Sequence, residues 1–181
     1  MPVPSDLVVH INGWPGTGKL TIARLLAERI DARLLDNHTL INPAEAVFSR
    51  RDPLNRSLRQ AIRGVVFEHL LRAPPGSRYI FTDALSDDDQ DTAVFEQYRD
   101  LAARRGAVFV AVVLDCAAEE NRRRLTGEDR ARQRKLVDPA VLEMLRSHHR
   151  LLRAEADIRI GLDVTGSAAG EVALEIASRL G

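Results

Sequence analysis

Residues 7–30 read LVVHINGWPGTGKLTIARLLAERI. An apolar run of strand length passes directly into a glycine-rich turn, and the turn into a segment whose Ile22, Leu25, Leu26 and Ile30 recur at helical spacing. Between them lie a glycine, four residues, a second glycine and a lysine, in the strand and helix context that turns this pattern into a phosphate-binding loop. Gly13, Gly16 and Gly18 permit backbone conformations that aim successive N–H groups at an anion. The following helix adds the positive end of its dipole, and Lys19 adds a full charge near the outer phosphates. The expected nucleotide contacts are Gly13, Trp14, Pro15, Gly16, Thr17, Gly18, Lys19, Leu20 and Thr21. Leu20 stands where a hydroxyl would ordinarily meet magnesium. Thr21 does not replace it, because one helical residue is a rotation of roughly 100°, and its hydroxyl is expected at an inner phosphate.

Outward from this stretch, strand-like runs recur at 33–36 (RLLD), 79–85 (YIFTDAL) and 108–115 (VFVAVVLD), with a more alternating, edge-like run at 157–164. Helical spacing fills the gaps. Leu54, Leu58, Ile62, Val65 and His69 mark one helix, Val94, Tyr98, Leu101 and Ala102 another, and Val172, Ile176 and Leu180 the last. Strand and helix alternate to the end, which argues for an α/β chain with a parallel sheet covered on both faces. RAPPGSR at 72–78 and RRGA at 104–107 mark the breaks before the third and fourth strands.

Two acids end strands at the edge where ligands bind in open parallel sheets, Asp36 in LLDNHTL and Asp83 in YIFTDAL. Either is expected to face the terminal phosphate, as a base for an acceptor hydroxyl or as a holder of Mg2+. A helix follows each, so N-capping is the alternative. His38 could contact an acceptor or simply be solvated. Trp14 could pack on the acceptor, the reading preferred here, or cover the adjacent helix. His10 reads as a core histidine with a satisfied hydrogen bond, and Cys116 has no catalytic partner. The acids of DDDQD at 87–91 suit a helix start better than a metal.

The chain has 181 residues, one domain's worth, with Lys plus Arg equal to Asp plus Glu at 26 each. Zero formal charge and 4% aromatic content argue against nucleic acid as a partner. The longest apolar run is too short for a membrane span. One cysteine and no apolar leader point to the cytoplasm. The basic segment 121–139, NRRRLTGEDRARQRKLVDP, is either a solvated helical face or a mobile cover over the phosphate-loop edge.

Together INGWPGTGKLTIARLLAERI, LLDNH, FTDAL and the arginine-rich segment resemble the small P-loop kinases of the nucleoside monophosphate kinase superfamily. Within it the chain is similar to gluconate and shikimate kinases, chloramphenicol phosphotransferase and AAA-type ATP-binding proteins. The resemblance implies a three-layer P-loop NTPase fold over 1–181, with five parallel strands in the order 2-3-1-4-5 and a helical lid at 121–139. It implies ATP and Mg2+, a small hydroxylated acceptor (metabolite or antibiotic) bound by 39–72, and a monomer or homodimer. By the same likeness Arg124 lies against the adenine, LDVTG at 162–166 flanks it, and Arg130 and Arg134 join Lys19 and Asp36 in catalysis. Leu20, the long spacing from Arg124 to Arg130, and the lack of a gluconate or shikimate signature depart from the pattern. Leu20 also favours the competing reading, a nucleotide-binding sensor or regulatory partner with little transfer. A nucleotide-switch GTPase lacks its guanine-reading NKxD segment.

Overall fold

The computed structural model describes residues 3–125 and 138–181. Five strands, β1 (Leu7–Gly13), β2 (Arg33–Asp36), β3 (Arg78–Asp83), β4 (Val108–Asp115) and β5 (Ile158–Asp163), form one sheet in the order β2-β3-β1-β4-β5. Every pairing is parallel. The described helices are α1 (Lys19–Ile30), α2 (Asn37–Val47), α3 (Pro53–Leu71), α4 (Asp89–Arg105), α5 (Ala118–Leu125), α6 (Pro139–His148) and α7 (Ala169–Ser178).

The sheet is covered on both faces: β1, β3 and β4 are buried at nearly every position, and alternate side chains serve opposite layers. Leu7, Val9 and Ile11 join Ile22, Leu26 and Ile30 of α1 and Val172 and Ile176 of α7 in one core. Val8 faces the other layer with Tyr79, Phe81, Phe95, Tyr98 and Leu101. A third cluster, Trp14, Val113, Leu125, Leu142 and Leu151, sits beyond the carboxyl ends of β1 and β4. Each fully buried Leu or Ile contributes about 1.5–3 kcal/mol.

Two helical faces differ from the sequence periodicity. In α1 the buried stripe is Ile22, Ala23, Leu26, Ala27 and Ile30, while Leu25 is exposed; small alanines let the helix lie close to the strands. The larger difference is α3. Its buried residues are Asn55 and Arg63, and Leu54 and Val65 are each 56% exposed. This helix packs on the sheet through its C-terminal part, Phe67, Leu70 and Leu71. In its earlier turns Asn55 and Arg59 meet Phe48 O and Glu45, and Leu58 and Ile62 are only half-buried.

Helix ends follow local chemistry. Asp36, Asp52, Asp88 and Asp138 cap α2, α3, α4 and α6. Asp88, Asp89 and Asp91 at the start of α4 account for the acidic run. The break at 104–107 is a left-handed Gly106 cap.

Beside the phosphate loop, Asn12 ties three segments together. Its Nδ2 donates to Leu85 O (2.9 Å) and Leu152 O (3.2 Å), and Leu85 N donates to its Oδ1 (2.7 Å).

Candidate active site

Gly16 (φ 93°) and Gly18 (φ 90°) bend the loop between β1 and α1 through left-handed conformations. A Cβ on Gly16 would lie 2.7 Å from Asn121 Nδ2, which donates to Pro15 O at 2.7 Å. The fully buried Asn121 of α5 thus buttresses the loop from outside. Thr17, also fully buried, donates from Oγ1 to Trp14 O (3.0 Å), and its N–H reaches the same carbonyl at 3.2 Å. Gly18 is the N-cap of α1 and offers no side-chain acceptor to the first-turn N–H groups. Their partial positive charge therefore faces the crevice.

Lys19 folds back across the loop, its Nζ donating to Gly13 O (2.5 Å) and Trp14 O (2.8 Å). Leu20 is half-buried and Thr21 exposed. Pro15 has no N–H to offer, so its part in the cradle is its carbonyl, held by Asn121.

Trp14 corrects the preferred sequence reading. It is 5% exposed and packs in the third cluster with Leu125 and Leu142, covering the adjacent helices as well as edging the cavity beside the loop. Arg146 of α6 lies 5.8 Å from its ring centroid. The Arg146 Nη1 donates to Asp115 Oδ1 and Asn121 Oδ1 at 3.1 Å each, and Nη2 to Cys116 O at 3.2 Å. Neither Asn121 nor Arg146 carries a local sequence signal; both are found only once α5 and α6 are placed over the loop. Cys116 is buried, and burial raises its thiol pKa.

Arg124 spans the space between the phosphate loop and the turn after β5. Its Nη1 lies 3.4 Å from Thr17 O, and Nη2 donates to Val164 O at 2.9 Å. Glu120 orients it through Nε at 2.6 Å. Hydrogen bonds from Arg123 and Arg124 lower the Glu120 carboxyl from 4.5 to about 2.

The two strand-end acids differ. Asp36 caps α2, its Oδ1 accepting from Thr39 N (2.8 Å) and Thr39 Oγ1 (3.0 Å). It stays half-buried at the crevice edge, level with Thr82 of β3 and hence two strand spacings, roughly 10 Å, from β1. Asp83 turns instead into the α3/α4 layer, because it shares strand parity with Tyr79 and Phe81. Its Oδ2 accepts from Tyr98 Oη (2.7 Å) and lies 3.1 Å from His10 Nε2, all three residues being buried. His10 is a core histidine, although its Nδ1 has no partner. His38 Nδ1 lies 3.4 Å from Asn42 Oδ1 within α2. Arg130, Arg134 and most of 121–139 lie outside the described residues.

Among the described residues no group of three His, Cys, Asp or Glu side chains gathers as a metal site. Magnesium needs only one or two carboxylates beside phosphate oxygens and water. Asp36 fits that minimal role, and Leu20 adds no ligand. A cavity of about 550 Å³ opens beside the loop, lined by Trp14, Asp87, Asp115, Arg146, His149 and Arg150 among others.

The model of the AAA domain family matches residues 8–152. Similar folds occur in a sugar kinase from Janibacter sp. HTCC2649 (20% identity, 97% of this chain and 94% of that one, TM-score 0.64). They occur also in a gluconokinase from Sinorhizobium meliloti 1021 (18%, 98% and 93%, 0.64). A third is the APS kinase of Mycobacterium tuberculosis in complex with AMPPNP and APS (18%, 98% of both chains, 0.61). No curated protein matches the chain.

Proposed function

We propose, for a chain that belongs to the AAA domain family, that it transfers the terminal phosphoryl group of ATP to a hydroxyl of a small molecule. The observation that carries this reading is the uncapped start of α1 with Lys19 folded over a preformed loop at the carboxyl end of a buried strand. The fold shared with sugar, gluconate and APS kinases supports it.

In this reading the loop N–H groups and Lys19 hold the phosphates, Lys19 exchanging its two carbonyl partners for phosphate oxygens. Arg124, fixed by Glu120, lies beside the base with the 162–166 turn. Magnesium would supply charge neutralisation on the phosphates, with Asp36 as its carboxylate. Asp36 orients the acceptor hydroxyl and takes its proton as the oxygen bonds to phosphorus and the bond from phosphorus to ADP breaks. Arg130 and Arg134 would approach the transferring group from 121–139, and 39–72, which spans α2 and α3, would hold the acceptor.

The second reading, a nucleotide-binding module with little transfer, is favoured by Leu20 and by the engagement of Asp83 with His10 and Tyr98. Titration calorimetry with ATP, beside ADP release over a panel of hydroxylated metabolites and antibiotics, separates the two. Lys19→Ala should weaken ATP binding by about 10-fold or more. Unchanged affinity in that variant removes the site, and ATP binding without stimulated ADP release favours the module.

A further inference from the structure

The apolar series that α3 carries in its sequence is the side the fold leaves uncovered. Leu54 and Val65 are each 56% exposed, Leu58 is half-buried and Ala61 is exposed. The inward side of the helix is taken by Asn55, Arg63 and Phe67, so packing within the chain does not account for the outer apolar residues. Val47, 66% exposed, lies at the same end as Leu54, because Asn55 Nδ2 donates to the carbonyl of the next residue, Phe48, at 2.8 Å. Such a contiguous apolar stripe on a solvent face marks an interaction surface more often than a scatter of single residues does.

The order of side chains along the stripe says what fits it. Arg51, Leu54, Leu58, Ala61, Val65 and Glu68 follow one another at steps of three, four, three, four and three residues. That alternation keeps them on one seam of the helix and is the spacing at which two helices interlock. The steps read the same from either end. A second α3 laid antiparallel, with a two-fold axis midway along the seam, therefore sets Leu54 against Val65, Leu58 against Ala61 and Arg51 against Glu68, each pair occurring twice. Large meets small at the centre, and opposite charges meet at both ends. Neither Arg51 nor Glu68 forms an ion pair among the described residues, so both charges are available. A parallel copy in register would instead set Arg51 on Arg51 and Glu68 on Glu68, which repel. Gly64 agrees with a close neighbour. A Cβ there would meet nothing within 4 Å, so the chain itself gives no reason for a glycine in mid-helix, where it weakens the helix. Three residues after Ala61, it leaves the flank of the seam open to a partner backbone.

We propose that the outer face of α3 docks a second copy of this chain in an antiparallel, two-fold dimer. From Leu54 to Glu68 the seam is about 22 Å long. A contact of that length belongs at the small end of specific interfaces, which sets the dissociation constant on the order of 10–100 µM. The inference goes beyond the phosphotransferase reading and does not depend on it, since the seam turns away from the side of α3 that meets the sheet.

Sedimentation velocity on the full chain without nucleotide, at low salt and from about 1 µM to about 1 mM, tests the dimer. Monomer is expected at the dilute end and dimer at the concentrated end. Val65→Glu places two carboxylates against Leu54 and should weaken association by about 10-fold or more. Arg51→Glu and Glu68→Arg should each weaken it measurably by setting like charges opposite, and the double exchange Arg51→Glu with Glu68→Arg should restore it. These side chains are exposed, and melting temperatures taken at the dilute end check that each variant folds. If Val65→Glu does not fold, the charge exchange decides. A chain that stays monomeric throughout overturns the proposal, as does a dimer indifferent to Val65→Glu and to both charge reversals, which lies on another face. A dimer weakened by Val65→Glu but not restored by the double exchange overturns the antiparallel register. None of these failures touches the phosphotransferase reading, which ATP binding and ADP release decide separately.

Discussion

The guanidinium of Arg146 stands 5.8 Å from the ring centroid of Trp14, joining a helix near the C-terminal end of the 121–139 segment to the second residue of the phosphate loop. Trp14 is the only tryptophan in the chain. Its emission therefore reports on the loop without labelling. Nucleotide addition is expected to change that emission. Arg146→Ala should shift it to the red and lower the melting temperature, since Asp115 and Asn121 lose their shared donor. Loss of these charge-assisted contacts is worth about 1–3 kcal/mol. An Arg146→Ala spectrum identical to wild type would show that the contact does not hold Trp14.

Asp36 has a capping role and a proposed chemical role, and two substitutions separate them. Asn caps a helix about as well as Asp, so Asp36→Asn should leave the melting temperature nearly unchanged while phosphoryl transfer falls by about 100-fold or more. Asp36→Ala should lose transfer and about 1 kcal/mol of stability as well. Intact transfer in Asp36→Asn would remove this residue as the base.

Leu20 is the departure that a magnesium titration addresses. Leu20→Ser restores a hydroxyl one residue after Lys19, and the metal concentration for half-maximal transfer should fall several-fold, the direction expected from adding one neutral ligand. An unchanged requirement would mean that position 20 does not adjoin the ion.

Glu120 carries the pH dependence. Its carboxyl lies at about 2 in the fold against an ordinary 4.5, through hydrogen bonds from Arg123 and then Arg124. A lowered folded pKa means that the stabilisation is complete above about 4.5 and is lost as pH falls toward about 2. Thermal melts of wild type and Glu120→Gln should therefore differ at neutral pH and converge toward about pH 2. A constant difference across that range would contradict the ion-pair assignment. Glu120 is partly exposed, so screening should also shrink the neutral-pH difference as salt is raised.

The sheet was legible because each strand carries a short apolar run between helical segments, and the phosphate loop because glycine and lysine chemistry is local to nine residues. What escaped depends on how elements pack. On α3 the series Leu54, Leu58, Ile62 and Val65 suggested an apolar face, yet the side turned inward carries Asn55, Arg59 and Arg63. Periodicity shows that a helix has two faces; it does not show which one meets a polar crevice. Asp83 was expected at the terminal phosphate; strand parity with Tyr79 and Phe81 puts it in their layer instead. Asn121 and Arg146 had no such cue, because their partners are a loop carbonyl and a tryptophan more than a hundred residues away.

Asn12 has a consequence for the order of events during synthesis. Its carboxamide is held by Leu85 and Leu152, residues made 73 and 140 positions later, and β1 itself lies between β3 and β4. A ribosome releases the phosphate-loop sequence first, yet the clamp that fixes its root closes only after residue 152 has emerged. The root of the phosphate loop is thus set by residues translated well after the loop itself.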